Sequence, residues 1–147
     1  MARWETTIEV DAPAESVWPV MSDVAKWPEW TSSIVSVDEV RPDFGLGSTA
    51  VVDAKGTPTS RWTVSKWEPG RGFDWVTKVR GATTVGGHWI EPRGERSQVT
   101  LTIEVKGPLV WMFKPFIKGV IMTNMATEAA GLKRKSESVK VVAAPTA

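Results

Sequence analysis

The chain contains no cysteine and no tyrosine, and its only histidine is His88. Without thiols it has no disulfide framework, no thiolate metal site and no cysteine nucleophile. One imidazole alone makes no zinc site, so no metal is expected. The missing tyrosine removes a phenol often used to move protons in carbanion chemistry. Charge of one sign is also scarce: the formal net charge is +1 and the charges are interspersed. Nucleic-acid binding needs a basic face, so no nucleic acid is expected as a partner. The one basic run, Lys133-Arg134-Lys135, suits the end of a helix, where cations complement the dipole. The longest apolar stretch, residues 109–125, is interrupted by Lys114, Pro115, Lys118 and Asn124. A membrane-spanning helix takes about 20 predominantly apolar residues, so none is expected. The opening Met1-Ala2-Arg3-Trp4-Glu5 has no apolar signal-peptide core, and a cytoplasmic location is the simpler expectation. Gly70-Arg71-Gly72 and Gly86-Gly87 are too short for a phosphate loop, and nothing calls for a cofactor.

What the sequence has in excess is tryptophan, nine residues against four phenylalanines. So many indoles point to a lined space or an interaction surface. The 147 residues suit one domain. A chain of about 150 residues buries roughly 70% of its unfolded surface, enough for a real core. Residues 1–138 are expected to form that domain, and the small, apolar 139–147 to fray.

Period-two alternation predicts a half-buried strand from Arg3 to Val10, with Trp4, Thr6, Ile8 and Val10 on one face. Asp11 is a plausible cap for a helix opening near Pro13, with Val17, Trp18, Val20 and Met21 on its buried side. Asp23 can cap a second short helix, Val24 to Trp27, cut off by Pro28. Strands are then expected at 34–41, 48–55, 60–67, 73–80, 83–91 and 98–106, separated by Gly- and Pro-bearing turns. Gly107-Pro108 ends the sheet, and a long helix follows from Leu109 to about Glu137. The fold class is therefore α+β: a curved seven-stranded antiparallel sheet around a long C-terminal helix, with two short helices after the first strand. The terminal helix is the only element long enough to cover one face, which gives a helix-grip clamp.

Several stretches carry a family resemblance: Ala12-Pro13-Ala14-Glu15-Ser16-Val17-Trp18, Trp27-Pro28-Glu29-Trp30, Gly47-Ser48, Trp67-Glu68-Pro69-Gly70, Phe73-Asp74-Trp75 and His88-Trp89-Ile90-Glu91-Pro92. Over nearly the whole length the chain resembles the START-like superfamily, specifically its polyketide cyclase/dehydrase branch. The resemblance implies the helix-grip fold and a hydrophobic ligand of lipid, polyketide or isoprenoid type. It is less specific for activity, because the same fold serves enzymes and binding proteins alike.

Candidate site residues follow from facing and from the resemblance. Phe73, Trp75 and Thr77 share a face, and the neighbouring strand should place Trp62 and Val64 beside them. Trp27 and Trp30 belong to the short-helix region near the expected pocket mouth. Indole and phenyl rings offer large contact area, and the indole N–H adds a polar handle. His88 shares the inward face with Ile90, where an imidazole can bind a ligand oxygen or act as general acid/base. The alternative is a core histidine tied to a neighbour. On the long helix, Phe113, Phe116, Val120 and Asn124 fall at helical spacing and are expected to line the site. Asn124 and Glu128, one turn apart, are polar anchors if they face inward and surface residues otherwise. Asp53 is inward if Val51 is; Ala50, Val52 and Ala54 are the better inward set, leaving Asp53 solvated.

A hydrophobic small molecule is thus the expected partner, with a metal-free cyclase, dehydratase or hydrolase using His88 as the alternative. What separates the two is a second ionisable group beside His88. Trp111, Met112, Phe113, Phe116, Ile117, Ile121, Met122 and Met125 make the long helix apolar nearly all round, which usually means burial. A clamp covers one side only, so a homodimer contact, a membrane-touching lip or a pocket gate is also open.

Overall fold

Alternation along the chain turns into seven strands in the computed structural model, which describes residues 2–139. They are β1 (Ala2–Val10), β2 (Ile34–Asp38), β3 (Thr49–Ala54), β4 (Ser60–Glu68), β5 (Gly72–Val79), β6 (Ala82–Arg93) and β7 (Arg96–Lys106). All pair antiparallel, in the order β1-β7-β6-β5-β4-β3-β2. β2 to β7 form a meander, and β1 lies beside β7. Between β1 and β2 come helix α1 (Ala14–Ser22) and a 3-10 helix, Val24–Glu29. Helix α2 (Val110–Ser138) packs chiefly on β1, with further contacts to α1 and β7. The expected frayed tail lies almost wholly outside the described residues.

Inward facing follows the expected parity. Trp4 and Val10 of β1, Ala50 and Val52 of β3, and Val99, Leu101 and Val105 of β7 are buried. Asp53 sits on the opposite face from Ala50 and Val52, opposite Ser36. Parity breaks once where it matters. A bulge between Val64 and Lys66 inserts an extra residue into β4, so Trp67 lies across from Phe73 on the inner face. Strict alternation from Trp62 and Val64 would have turned Trp67 outward.

Capping differs from expectation. Pro13, not Asp11, is the N-cap of α1, and its carbonyl accepts the N–H groups of Ser16 and Val17. Asp11 instead donates its backbone N–H to Glu137 Oε2 at 2.8 Å. Asp23 does precede the 3-10 helix, but Pro28 lies inside it.

Two contacts seat α2. Its C-terminal half meets the loop after the 3-10 helix at Gly131, where a Cβ would collide with the Trp30 carbonyl oxygen. Arg134 Nη2 donates to that same oxygen at 3.1 Å. At the far end Glu137 accepts from Lys133 Nζ at 2.6 Å as well as from Asp11. The Lys133 hydrogen bond, then the Asp11 N–H, hold the Glu137 carboxyl below the usual carboxylate range.

Candidate functional site

Aromatic side chains from α1, the 3-10 helix, β4, β5 and two loops meet on the concave face of the sheet. Trp27 is 2% exposed, and its indole N–H donates to the Met21 carbonyl at 3.0 Å. Its ring lies 5.2 Å from Trp75, 5.8 Å from Trp30 and 6.2 Å from Phe73, centroid to centroid. Trp62 tilts over Trp75 at 5.4 Å. On the other flank Trp67 meets Phe73 at 5.6 Å, Phe44 at 5.8 Å and Trp18 at 5.0 Å. These distances are those of rings in mutual contact, mostly edge-to-face or tilted. The expected indole-rimmed hollow is therefore filled at this end by the rings themselves. Trp18, Phe44 and Trp67 join the cluster without having been expected there. Trp67 was hidden by the bulge, although its three-residue step from Val64 was a sign of it.

His88 stands inside this wall. Its ring stacks on Phe73 at 4.7 Å and 20°, with Trp27 at 5.0 Å and Trp75 edge-on at 5.9 Å. Its Nε2 lies 3.5 Å from Glu128 Oε1 of α2, the two side chains being 8% and 14% exposed. The Nδ1 atom is buried and has no hydrogen-bond partner. A buried imidazole normally has both nitrogens satisfied, so the bare Nδ1 sets His88 apart from an ordinary core histidine. The sequence reading named Glu128 as an anchor if it faced inward. The structure turns it inward, beside the only histidine.

The remaining predicted residues divide. Val64 and Ile90 are buried beside the cluster, and Thr77 is buried with its hydroxyl donating to the Arg61 carbonyl at 2.7 Å. Trp30 is buried and its Nε1 has no partner. Val120 packs on the β3–β4 turn, where a Cβ on Gly56 would lie 3.0 Å from it. Asn124 Nδ2 donates to the Lys55 carbonyl at 2.8 Å. Both clasp α2 to that turn instead of reaching His88. Phe113 and Phe116, expected to line the site, are instead 48% and 77% exposed. Helical spacing puts them on one stripe with Val120 and Asn124, but only those later members reach the β3–β4 turn, and the earlier turns of α2 leave both rings in solvent.

Burial also loosens along the clamp. Trp62, Thr84 and Ile103 share the parity of the buried inner-face residues, yet are only partly buried, as are Ile117 and Ile121 of α2. The space between sheet and helix is thus tight at His88 and looser towards the β3–β4 and β5–β6 turns. Two further concavities lie elsewhere. An open groove of about 630 Å³ runs between Pro28–Ser32 and Ala126, Thr127, Ala130 and Arg134 of α2. A smaller one, of about 330 Å³, crosses the outer face around Trp89 and Glu104.

A curled antiparallel sheet gripping one long helix, with a polar pair set among rings, defines a protein of the helix-grip fold. The chain belongs to the polyketide cyclase/dehydrase and lipid transport family, whose model matches residues 1–137. Among solved structures it is similar to the Zhui aromatase/cyclase of Streptomyces sp. R1128, at 17% identity over 92% of this chain and 93% of that one, with a TM-score of 0.77. A START superfamily protein of Mycobacterium smegmatis aligns at 21% identity over 93% and 98% of the two chains, with a TM-score of 0.68. Curated relatives include uncharacterised proteins of Mycobacterium tuberculosis and Mycobacterium bovis, 28% identical over 67 residues, 45% of this chain. That match spans 40% of the relatives' length. No helix among the described residues is long and apolar enough to cross a membrane.

Proposed function

We propose that the chain binds a hydrophobic, ring-bearing small molecule between the sheet and α2, with its oxygen against the His88–Glu128 pair. The observation that carries this reading is the bare Nδ1 of a buried histidine whose other nitrogen faces a carboxylate. A core evolved only for packing gains nothing from such a pair, because burying polar groups without full satisfaction costs free energy. The half-buried inner rim of Trp62, Thr84, Ile103, Ile117 and Ile121 supplies an approach. A ligand entering there displaces ring–ring contact with ring–ligand contact of similar strength.

The same pair favours a second reading, proton transfer on the bound molecule. Glu128 would orient the imidazole through Nε2, and Nδ1 would take a proton from a substrate hydroxyl or an activated C–H. With no tyrosine, emission arises from tryptophan alone. Titration with a flavone, 2-naphthol and a long-chain fatty acid should give a saturable change with at least one ligand class. His88→Gln and Glu128→Gln should each weaken that binding by about tenfold, the worth of a hydrogen bond to a charged or polarised group. Saturable binding with the ligand recovered unchanged supports the first reading, and a product lost in both variants supports the second. No saturable response from the whole panel would overturn both.

A further inference from the structure

The first half of α2 is unlike the rest of the surface. Leu109, Trp111, Met112, Phe113 and Phe116 are between 48% and 77% exposed, and the aromatic ones are the most costly to leave in water. The residues around them carry one sign of charge. Lys114 and Lys118 lie within this half of the helix, Lys106 precedes it, and residues 107–127 include no aspartate or glutamate.

Two turns share this end of the molecule. The β5–β6 turn abuts the start of α2, since a Cβ on Gly107 would lie 3.1 Å from the Gly81 carbonyl oxygen. The β3–β4 turn abuts it further along, through Gly56 beside Val120 and Asn124 bonded to the Lys55 carbonyl. These turns add Lys78, Arg80 and Lys55, and segments 54–60 and 76–90 again hold no carboxylate. Elsewhere several cations are paired with carboxylates: Arg61 with Glu39, Lys133 with Glu137 and Arg3 with Glu5 and Glu104. The apolar tip is ringed by positive charge, although the chain as a whole is almost neutral.

We infer that this end of the molecule docks on an anionic lipid bilayer, with Trp111, Phe113 and Phe116 entering the interface and the surrounding lysines against the headgroups. The charge pattern selects this occupant. A helix lying in the interface combines buried apolar side chains with cations at headgroup level, and tryptophan favours that boundary. A second copy of the chain would bring the same cations face to face, which like-charge repulsion opposes. Docking here goes beyond ligand binding and does not depend on it. It would, however, bring the loose rim of the clamp to the membrane.

Co-sedimentation of the whole chain with phosphatidylcholine vesicles, with and without phosphatidylserine, tests the inference. The chain should pellet with the phosphatidylserine-containing vesicles and be released by raised salt. Lys114→Ser with Lys118→Ser should weaken binding roughly 25-fold, about fivefold per cation. Trp111→Ala with Phe116→Ala should abolish it while leaving the thermal transition in place, since both residues are exposed. A Trp111→Phe difference spectrum should show Trp111 emission moving to shorter wavelength on the vesicles. No binding to either vesicle type would overturn the inference. So would salt-insensitive binding equal on both, or a dimer by sedimentation analysis that Trp111→Ala with Phe116→Ala dissociates.

Discussion

Phe73 and Gly131 show how single residues set the interior. Phe73 is fully buried and carries both His88 and Trp67 on its faces. Phe73→Ala should cost about 3–5 kcal/mol in denaturant unfolding, the range for deleting a buried ring. Gly131 has the opposite constraint, because only a residue without a Cβ lets α2 approach the Trp30 carbonyl. Gly131→Ala should destabilise by roughly 1–3 kcal/mol, as overpacking does. Its effect should exceed that of Gly119→Ala, where a Cβ meets nothing. A Gly131→Ala chain as stable as its parent would show that the contact gives way cheaply. Glu137 supplies a pH-dependent element. Its carboxyl is held low by Lys133 and the Asp11 N–H, so its stabilisation is present above the unfolded-state value. That stabilisation is lost as the pH falls through the lower folded value. Glu137→Gln should therefore flatten the acid limb of the unfolding curve, by a modest amount because the pair is about one-third exposed.

Among the elements, the strands were the most legible and α2 the least. Alternating side chains fix which face of a strand is buried, and that logic placed Val64, Phe73, Trp75, Thr77, His88 and Ile90 on one surface. It failed where β4 bulges, because one inserted residue reverses every facing beyond it and brings Trp67 inward, and a second irregularity between Ile34 and Ser36 likewise lets both Ile34 and Val37 pack on the core. In α2 no such rule was available. Apolar residues lie nearly all round its first half, so the sequence pattern selects no face there, and Phe113 and Phe116 stay exposed although they share a stripe with Val120 and Asn124. What decides its rotation is tertiary: Gly131 against the Trp30 loop and Asn124 bonded to the β3–β4 turn. Once those fix the helix, Glu128 is carried to His88. Asn124→Ala should therefore loosen the first half of α2, seen as faster amide exchange over residues 110–124 with residues 128–136 unchanged. Uniform exchange across the helix would argue against that division.

At the scale of the molecule, one end of the clamp is closed by aromatic rings around a buried polar pair, while the other is looser and presents apolar side chains among lysines. The fold accounts for this asymmetry: α2 packs chiefly on β1, with α1 and β7, so its C-terminal half is anchored and its N-terminal half reaches over the turns. The central claim is that a ligand is held at the closed end, against His88. The single histidine makes this directly measurable, because a chain labelled at histidine gives one set of imidazole nitrogen signals. On titration with 2-naphthol or the flavone, the account predicts that the Nδ1 signal moves saturably, in step with tryptophan emission. It predicts a smaller change at Nε2, which faces Glu128. A saturable emission change with both imidazole nitrogens unmoved would place the ligand elsewhere and contradict the account.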